Sequence, residues 1–171
     1  DYTATDGGAF YLAEGTLNMS GGTVRDNTAK ENGGMLYASN ATVSVTGGIV
    51  STNNAANGGA ILLASGSADI GNEAVQGNHA TDFGGAICQT GGTLRVTGNI
   101  NEANTAKNGS AVYIQNGSAT FDGCNITGNT ATEGGAIGIG SEEARLFFAG
   151  DAKVTDNTWN GKKGNLYLDK D

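Results

Sequence analysis

A glycine-led phrase returns through this chain at an almost fixed interval, and that interval rules out most folds. Its first glycine stands at 7, 33, 58, 84, 109 and 134, so the spacings are 26, 25, 26, 25 and 25 residues. An Asn column keeps pace: Asn27, Asn53, Asn78, Asn104, Asn129 and Asn157. Two residues after each comes Ala29, Ala55, Ala80, Ala106 or Ala131, with Trp159 in the last copy. A fixed period between about 20 and 50 residues marks a solenoid, because so short a unit cannot bury its apolar face alone.

The columns inside each copy specify the coil. After the glycines an apolar position recurs as Phe10, Leu36, Ile61, Ile87, Val112 and Ile137. Two residues on stand Leu12, Ala38, Leu63, Gln89, Ile114 and Ile139, and this period-two alternation is that of a half-buried strand. A second strand carries the inward pairs Leu17/Met19, Val43/Val45, Ala68/Ile70, Leu94/Val96, Ala119/Phe121 and Leu146/Phe148. A third, shorter one carries Val24, Val50, Val75, Ile126 and Val154. Gly21-Gly22, Gly47-Gly48, Gly98 and Gly123 supply corners, where glycine reaches the backbone angles that a sharp bend demands. The expectation is an all-β chain: one right-handed parallel β-helix over residues 1–171, about six coils of 25–26 residues with three short strands each. The hand follows from the crossover rule, and stacking at about 4.8 Å per coil makes a rod roughly 30 Å long.

Other repeats of similar period fail on chemistry. Leucine-rich repeats need abundant Leu and usually a helical return, and ankyrin and tetratricopeptide units are helical. The returns here are Gly-Gly and Asn-Thr-Ala, poor helix formers with no amphipathic stripe. Glycine, 30 residues in all, has no three-residue period and so excludes collagen. An apolar share of 37% is low but regularly spaced, which opposes disorder. Net charge is −8 with only nine Lys and Arg, too few to neutralise a phosphate backbone, so nucleic acid is not an expected partner. No apolar run nears the roughly 20 residues that span a bilayer, and no basic-then-apolar leader is present.

Several positions are candidates for function. The Asn column reads as structural, since amides stacked one coil apart bond neighbouring backbone and each other. On the first strand the outward positions are Tyr11, Tyr37, Leu62, Cys88, Tyr113 and Tyr167, and an aromatic row suits stacking on sugar rings or on a protein partner. Tyr11, Tyr37, Tyr113 and Tyr167 are therefore the candidate ligand-binding residues. The same row could serve only to brace the sheet. Polysaccharide cleavage on such a scaffold needs converging carboxylates, or a cation facing a base; Asp69, Arg95 and Asp122 are the one patch near that pattern, and they read equally as a surface ion pair. Outward Thr16, Thr42, Ser67, Thr93 and Ser118 form a hydroxyl row of the kind that orders water on ice-binding solenoids, but Asp69, Arg95 and Phe147 interrupt that face. His79, the only histidine, has no partners at ligand spacing, so neither metal nor cofactor is expected. Cys88 and Cys124 fall on different sides of the coil and are expected as free thiols.

The opening Thr3-Ala-Thr-Asp-Gly-Gly-Ala9 matches Thr130-Ala-Thr-Glu-Gly-Gly-Ala136, which starts the chain in mid-coil. Gly164-Asn-Leu-Tyr-Leu168 begins a seventh coil. Solenoid ends need caps, and neither end carries a cap signature, so the expectation is a piece of a longer array with flanking repeats of the same parent. The phrase Val/Ile-x-x-Asn followed by Gly-Gly-Ala-Ile, as in residues 50–61 and 126–137, resembles the paired tetrapeptide repeats of chlamydial polymorphic outer-membrane proteins. Gly15-Thr-Leu-Asn-Met-Ser-Gly-Gly-Thr-Val24 with Asn27-Thr28 is similar to Gly/Thr-rich β-helix repeats in surface proteins of Gram-positive commensals. The likeness covers nearly the whole chain. It departs from the chlamydial pattern at Val24, Val50, Val75, Ile126 and Val154, where that pattern favours Phe, and at Asn101-Glu-Ala-Asn104. The resemblance implies a non-enzymatic, extracellular, surface-anchored bacterial stalk or adhesin whose partner is a host protein or glycan.

Overall fold

The computed structural model describes residues 3–71 and 74–168. It is a parallel β-solenoid, and among the described residues every regular element is a strand. The coils pile into three sheets. A seven-stranded sheet takes the run after each glycine pair, from Phe10–Leu12 through Leu36–Ala38, Ile61–Leu63, Ile87–Gln89, Val112–Ile114 and Ile137–Ile139 to Leu166–Leu168. The second and third strands of each coil share a ten-stranded sheet, joined through the continuous strands Gly15–Arg25 and Ala41–Ser51. The third face is the run behind each ladder Asn, read from the sequence as a turn; it forms an eight-stranded sheet from Ala4–Asp6 to Lys162–Lys163. A coil thus has three faces, as its period requires, but the corner between the second and third strands does not divide sheets.

Register follows the predicted columns. Phe10 pairs with Leu36, Leu36 with Ile61, Ile61 with Ile87, Ile87 with Val112 and Val112 with Ile137. These side chains enclose one interior with Val43, Val45, Leu94, Val96, Phe121 and the residues beside them. Among the described residues the largest side chains fully enclosed there include Met35, Leu36, Ile61 and Phe121, of which Phe121 is the bulkiest. Towards the first coil Phe10, Leu17, Met19 and Val24 are only partly covered and line an open cavity of about 590 Å³. The glycine pair is dictated by space. Gly33 has φ of 64°, and a Cβ on Gly34 would run into the carbonyl oxygen of Gly59 on the next coil. Ser110 takes that second place in one coil, and its buried Oγ finds no partner.

The Asn column is a ladder. Each Nδ2 donates to the Oδ1 one coil on, from Asn27 to Asn53, Asn78, Asn104, Asn129 and Asn157, at 2.8 to 3.0 Å. Those Oδ1 atoms also accept the backbone N–H of Asn27, Asn53, Asn78 and Asn129. From Asn53 onward Nδ2 also reaches back to a third-strand carbonyl of the previous coil, Val24, Val50, Val75, Ile100 or Ile126. Past the last rung, Asn157 Nδ2 meets Asn165 Oδ1 at 3.2 Å. The amides from Asn53 to Asn157 are wholly buried, so these bonds satisfy groups that would otherwise be stranded. The residue before each rung is left-handed in all six coils: Asp26, Thr52, Gly77, Ala103, Gly128 and Asp156, with φ from 53° to 70°.

Irregular coils keep their strands and bend at corners. The fourth coil, which departs from the repeat at 101–104, retains its third-strand apolar residue: Ile100 pairs with Val75 and Ile126. One residue is added before Ala103, so Asn104 Nδ2 bonds the carbonyl three residues back, at Asn101, where Asn78 and Asn129 reach two residues back. The stretched last coil takes its extra residues at the 141–145 corner and again at Gly150-Asp151, leaving Ser118 opposite Arg145 and Asn125 opposite Lys153. Asn160-Gly161 then turns an antiparallel hairpin, Trp159 against Lys162, the one reversal in the described stack. Asn-Gly is the favoured two-residue hairpin turn, and both residues have positive φ, 47° and 73°.

Candidate ligand-binding face

The outer side of the seven-stranded sheet holds the tyrosine column. Register places Tyr11 beside Tyr37, Tyr37 beside Leu62, Leu62 beside Cys88, Cys88 beside Tyr113, then Gly138 and Tyr167. The four predicted tyrosines do share one column. They do not share one open face.

Tyr11 and Tyr37 stack with ring centroids 5.1 Å apart and planes 9° from parallel, and Tyr11 is 59% exposed. Tyr37 is half-buried, and its phenol is pushed above the ordinary range chiefly by burial, then by Tyr11 and Asp6. Further along, Leu62, Cys88 and Tyr113 are buried as a second apolar cluster, outside the sheet, with Tyr37, Ala64 and Phe83 packed on it. Phe83 comes from the neighbouring face and lays its ring 4.4 Å from that of Tyr113. On its other side Tyr113 occupies a slot left by two glycines: a Cβ at Gly138 or Gly140 would strike its ring or hydroxyl. The hydroxyl donates to Gln115 Oε1 at 3.1 Å. With 4% of its surface exposed, Tyr113 is a packing residue, and the prediction that it presents a ring to a ligand is corrected. Tyr167 is half-buried against Trp159, with centroids 6.2 Å apart. Trp159, the break in the Ala column, faces solvent at 39%.

The outer cluster has a cause that the sequence reading missed. The residue before the first glycine is Asp6, Asn32, Asn57, Phe83, Asn108 or Glu133. Asn32 donates to Asp6 Oδ1 at 2.8 Å and Asn57 to Asn32 Oδ1 at 3.1 Å, a second, shorter amide ladder. Phe83 ends it and turns outward over Tyr113. The signal was a polar column with a single aromatic in it.

On the ten-stranded sheet, Asn18, Ser44, Asp69, Arg95, Thr120 and Phe147 align in one column. Arg95 bridges two coils' carboxylates, with Nη2 2.8 Å from Asp122 Oδ2 and Nη1 3.7 Å from Asp69 Oδ2. All three side chains are about half exposed, where such pairs contribute roughly 0–1 kcal/mol. The patch is thus two acids turned onto one guanidinium. The hydroxyl row, Thr16, Thr42, Ser67, Thr93 and Ser118, is in register beside it and gives way to Arg145. His79 is exposed, its Nδ1 2.7 Å from Thr105 Oγ1. Among the described residues no three His, Cys, Asp or Glu side chains are grouped to hold a metal ion, and no helix is long and apolar enough to cross a membrane. Cys88 and Cys124 are both free and buried, the first in the outer cluster and the second in the interior.

No protein-family model, no curated protein and no solved structure matches this chain.

Proposed function

We propose that this chain is a non-catalytic rod displayed on the outside of a bacterial cell, acting as stalk and adhesin, with Tyr11 and Tyr37 as its contact for a host protein or glycan. Flanking repeats of the same parent would extend the rod. The observation that carries this reading is the stacked tyrosine pair, with Tyr11 open to solvent and Tyr37 braced from one side by an apolar cluster. Paired rings over a rigid backbone give a partner a large amphipathic contact with little conformational entropy left to lose. The repeat resemblance supplies the cellular setting. At the far end of the column Tyr167 meets Trp159 of the neighbouring face, with the rings tilted 50° to each other.

The rival reading, a polysaccharide-cleaving solenoid, draws on Arg95 with Asp69 and Asp122. An acid-base pair must address a substrate, and here both carboxylates address the arginine, which favours the adhesin reading. A glycan array and a panel of immobilised host-surface proteins, probed with the native chain and with a Tyr11→Ala/Tyr37→Ala double variant, test the proposal. Binding that falls at least tenfold in the double variant, about 1.4 kcal/mol, supports it. Binding that is unchanged, or release of new sugar ends from acidic polysaccharides that Arg95→Ala abolishes, overturns it. Tyr113→Ala is unsuitable for this test because that ring is packed inside the cluster.

A further inference from the structure

Five Asn-Gly pairs occur in the chain: Asn32-Gly33, Asn57-Gly58, Asn108-Gly109, Asn116-Gly117 and Asn160-Gly161. In such a pair the glycine nitrogen can attack the asparagine's own side-chain amide, since no Cβ obstructs the approach. The fold treats the five differently. Gly33 and Gly58 donate their N–H to the carbonyls of Asn57 and Phe83 on the next coil, at 2.9 and 2.8 Å, while the Asn32 and Asn57 amides are held in the second ladder. Asn108 is packed, with its Oδ1 enclosed. Asn160 and Gly161 are locked in the hairpin turn, and no hydrogen bond joins the Gly161 nitrogen to the Asn160 side chain.

Asn116 is the exception. The Gly117 N–H donates to Asn116 Oδ1 at 2.6 Å, within its own dipeptide and not to a neighbouring coil. The far end of the same amide is tethered, Nδ2 donating to Glu143 Oε2 at 3.3 Å. Nucleophile and amide carbon are therefore held together at an exposed corner between Val112–Ile114 and Ser118–Asp122. Gly117 is irreplaceable: its φ is 90°, and a Cβ there would run into the Gly92 carbonyl oxygen.

We propose that Asn116 is a self-modifying site at which the rod ages. The Gly117 nitrogen gives its proton to solvent base and bonds to Asn116 Cγ. The Cγ–Nδ2 bond breaks and the nitrogen leaves as ammonia. Water then opens the cyclic imide at either carbonyl, leaving aspartate or isoaspartate; one water enters, one ammonia departs, and nothing is oxidised or reduced. The product matters because of where it stands. A donor to Glu143 becomes an anion facing it, and isoaspartate adds a methylene to the corner whose Gly117 carbonyl accepts Arg145 N–H at 2.8 Å, so the last coil loses its docking.

The test is storage of the native chain at neutral and mildly alkaline pH, with peptide mapping over time and an unfolded sample in parallel. The expected result is a gain of one mass unit at residue 116 ahead of the other four sites, resolved into two isomers and faster at the higher pH. The unfolding midpoint should fall in step with conversion, and hold steady in Asn116→Gln and Asn116→Ser. Conversion of Asn160, Asn108, Asn57 or Asn32 ahead of Asn116 would overturn the proposal. So would an intact Asn116 at a time when the unfolded sample has reacted.

Discussion

Ala103 holds a backbone angle, φ 61°, that two of its five equivalents meet with glycine. A left-handed alanine costs roughly 1–2 kcal/mol and glycine's extra chain entropy gives back about half of that, so Ala103→Gly should stabilise the fold by roughly 0.5–1 kcal/mol, read as a higher urea midpoint. Thr52 is a poorer test, because its Oγ1 also donates to Asp26 Oδ1 at 2.7 Å. Removing a rung has the opposite sign. In Asn78→Ala the backbone N–H and the Nδ2 of Asn53 both lose their acceptor inside the stack, a loss of about 2–4 kcal/mol by the same measurement. The ladder was legible in the sequence because an amide that both gives and takes one bond per coil must recur unchanged. The left-handed position was not, since Asp26, Thr52, Ala103 and Asp156 share no chemistry and only Gly77 and Gly128 display the backbone's demand.

At the scale of a strand and its neighbours, alternation identified which residues of the seven-stranded sheet point outward, and the register agrees. It could not show that an outward residue would be buried. That depends on Phe83, which arrives from another face, and on Gly138 and Gly140, which make room for Tyr113 one coil away. Cys88 reports on this cover. Burial pushes its thiol up from the ordinary 9.0 to about 12. An acid whose folded pKa is raised contributes stability that is whole below the unfolded value and is lost as pH climbs towards the folded one. Native stability should accordingly decline between about pH 9 and 12, and Cys88→Ala should flatten that slope. Cys124 and Tyr37 are shifted in the same direction, chiefly by burial, and keep part of the slope in that variant. Native Cys88 should resist thiol reagents at neutral pH, and Phe83→Ala should make it react.

Over the whole rod, coils are held only by their neighbours, so order should be graded along the axis and not uniform. The interior is closed from Met35 to Ile137, whereas Phe147, Phe148, Leu166 and Leu168 lie about half exposed. Hydrogen exchange should therefore be fastest in 141–168 and slowest in 60–137; equal protection throughout would contradict nearest-neighbour stacking. The period alone carried the architecture, because six copies of one spacing leave a single way to bury the aliphatic columns. The hairpin at Asn160-Gly161 and the exact division of sheets lie outside that period, and so did not show in it.

The larger departures from the repeat are absorbed where the chain turns, one residue before Ala103 and the others at 141–145 and Gly150-Asp151, while single extra residues are taken up as bulges within Ala29–Asn32 and His79–Phe83. The faces behave as fixed courses of masonry and the bends as mortar of adjustable thickness. Foreign peptides spliced into those three bends should be carried outward as free arms, one on the fourth coil and two on the last, while the shaft itself keeps its form.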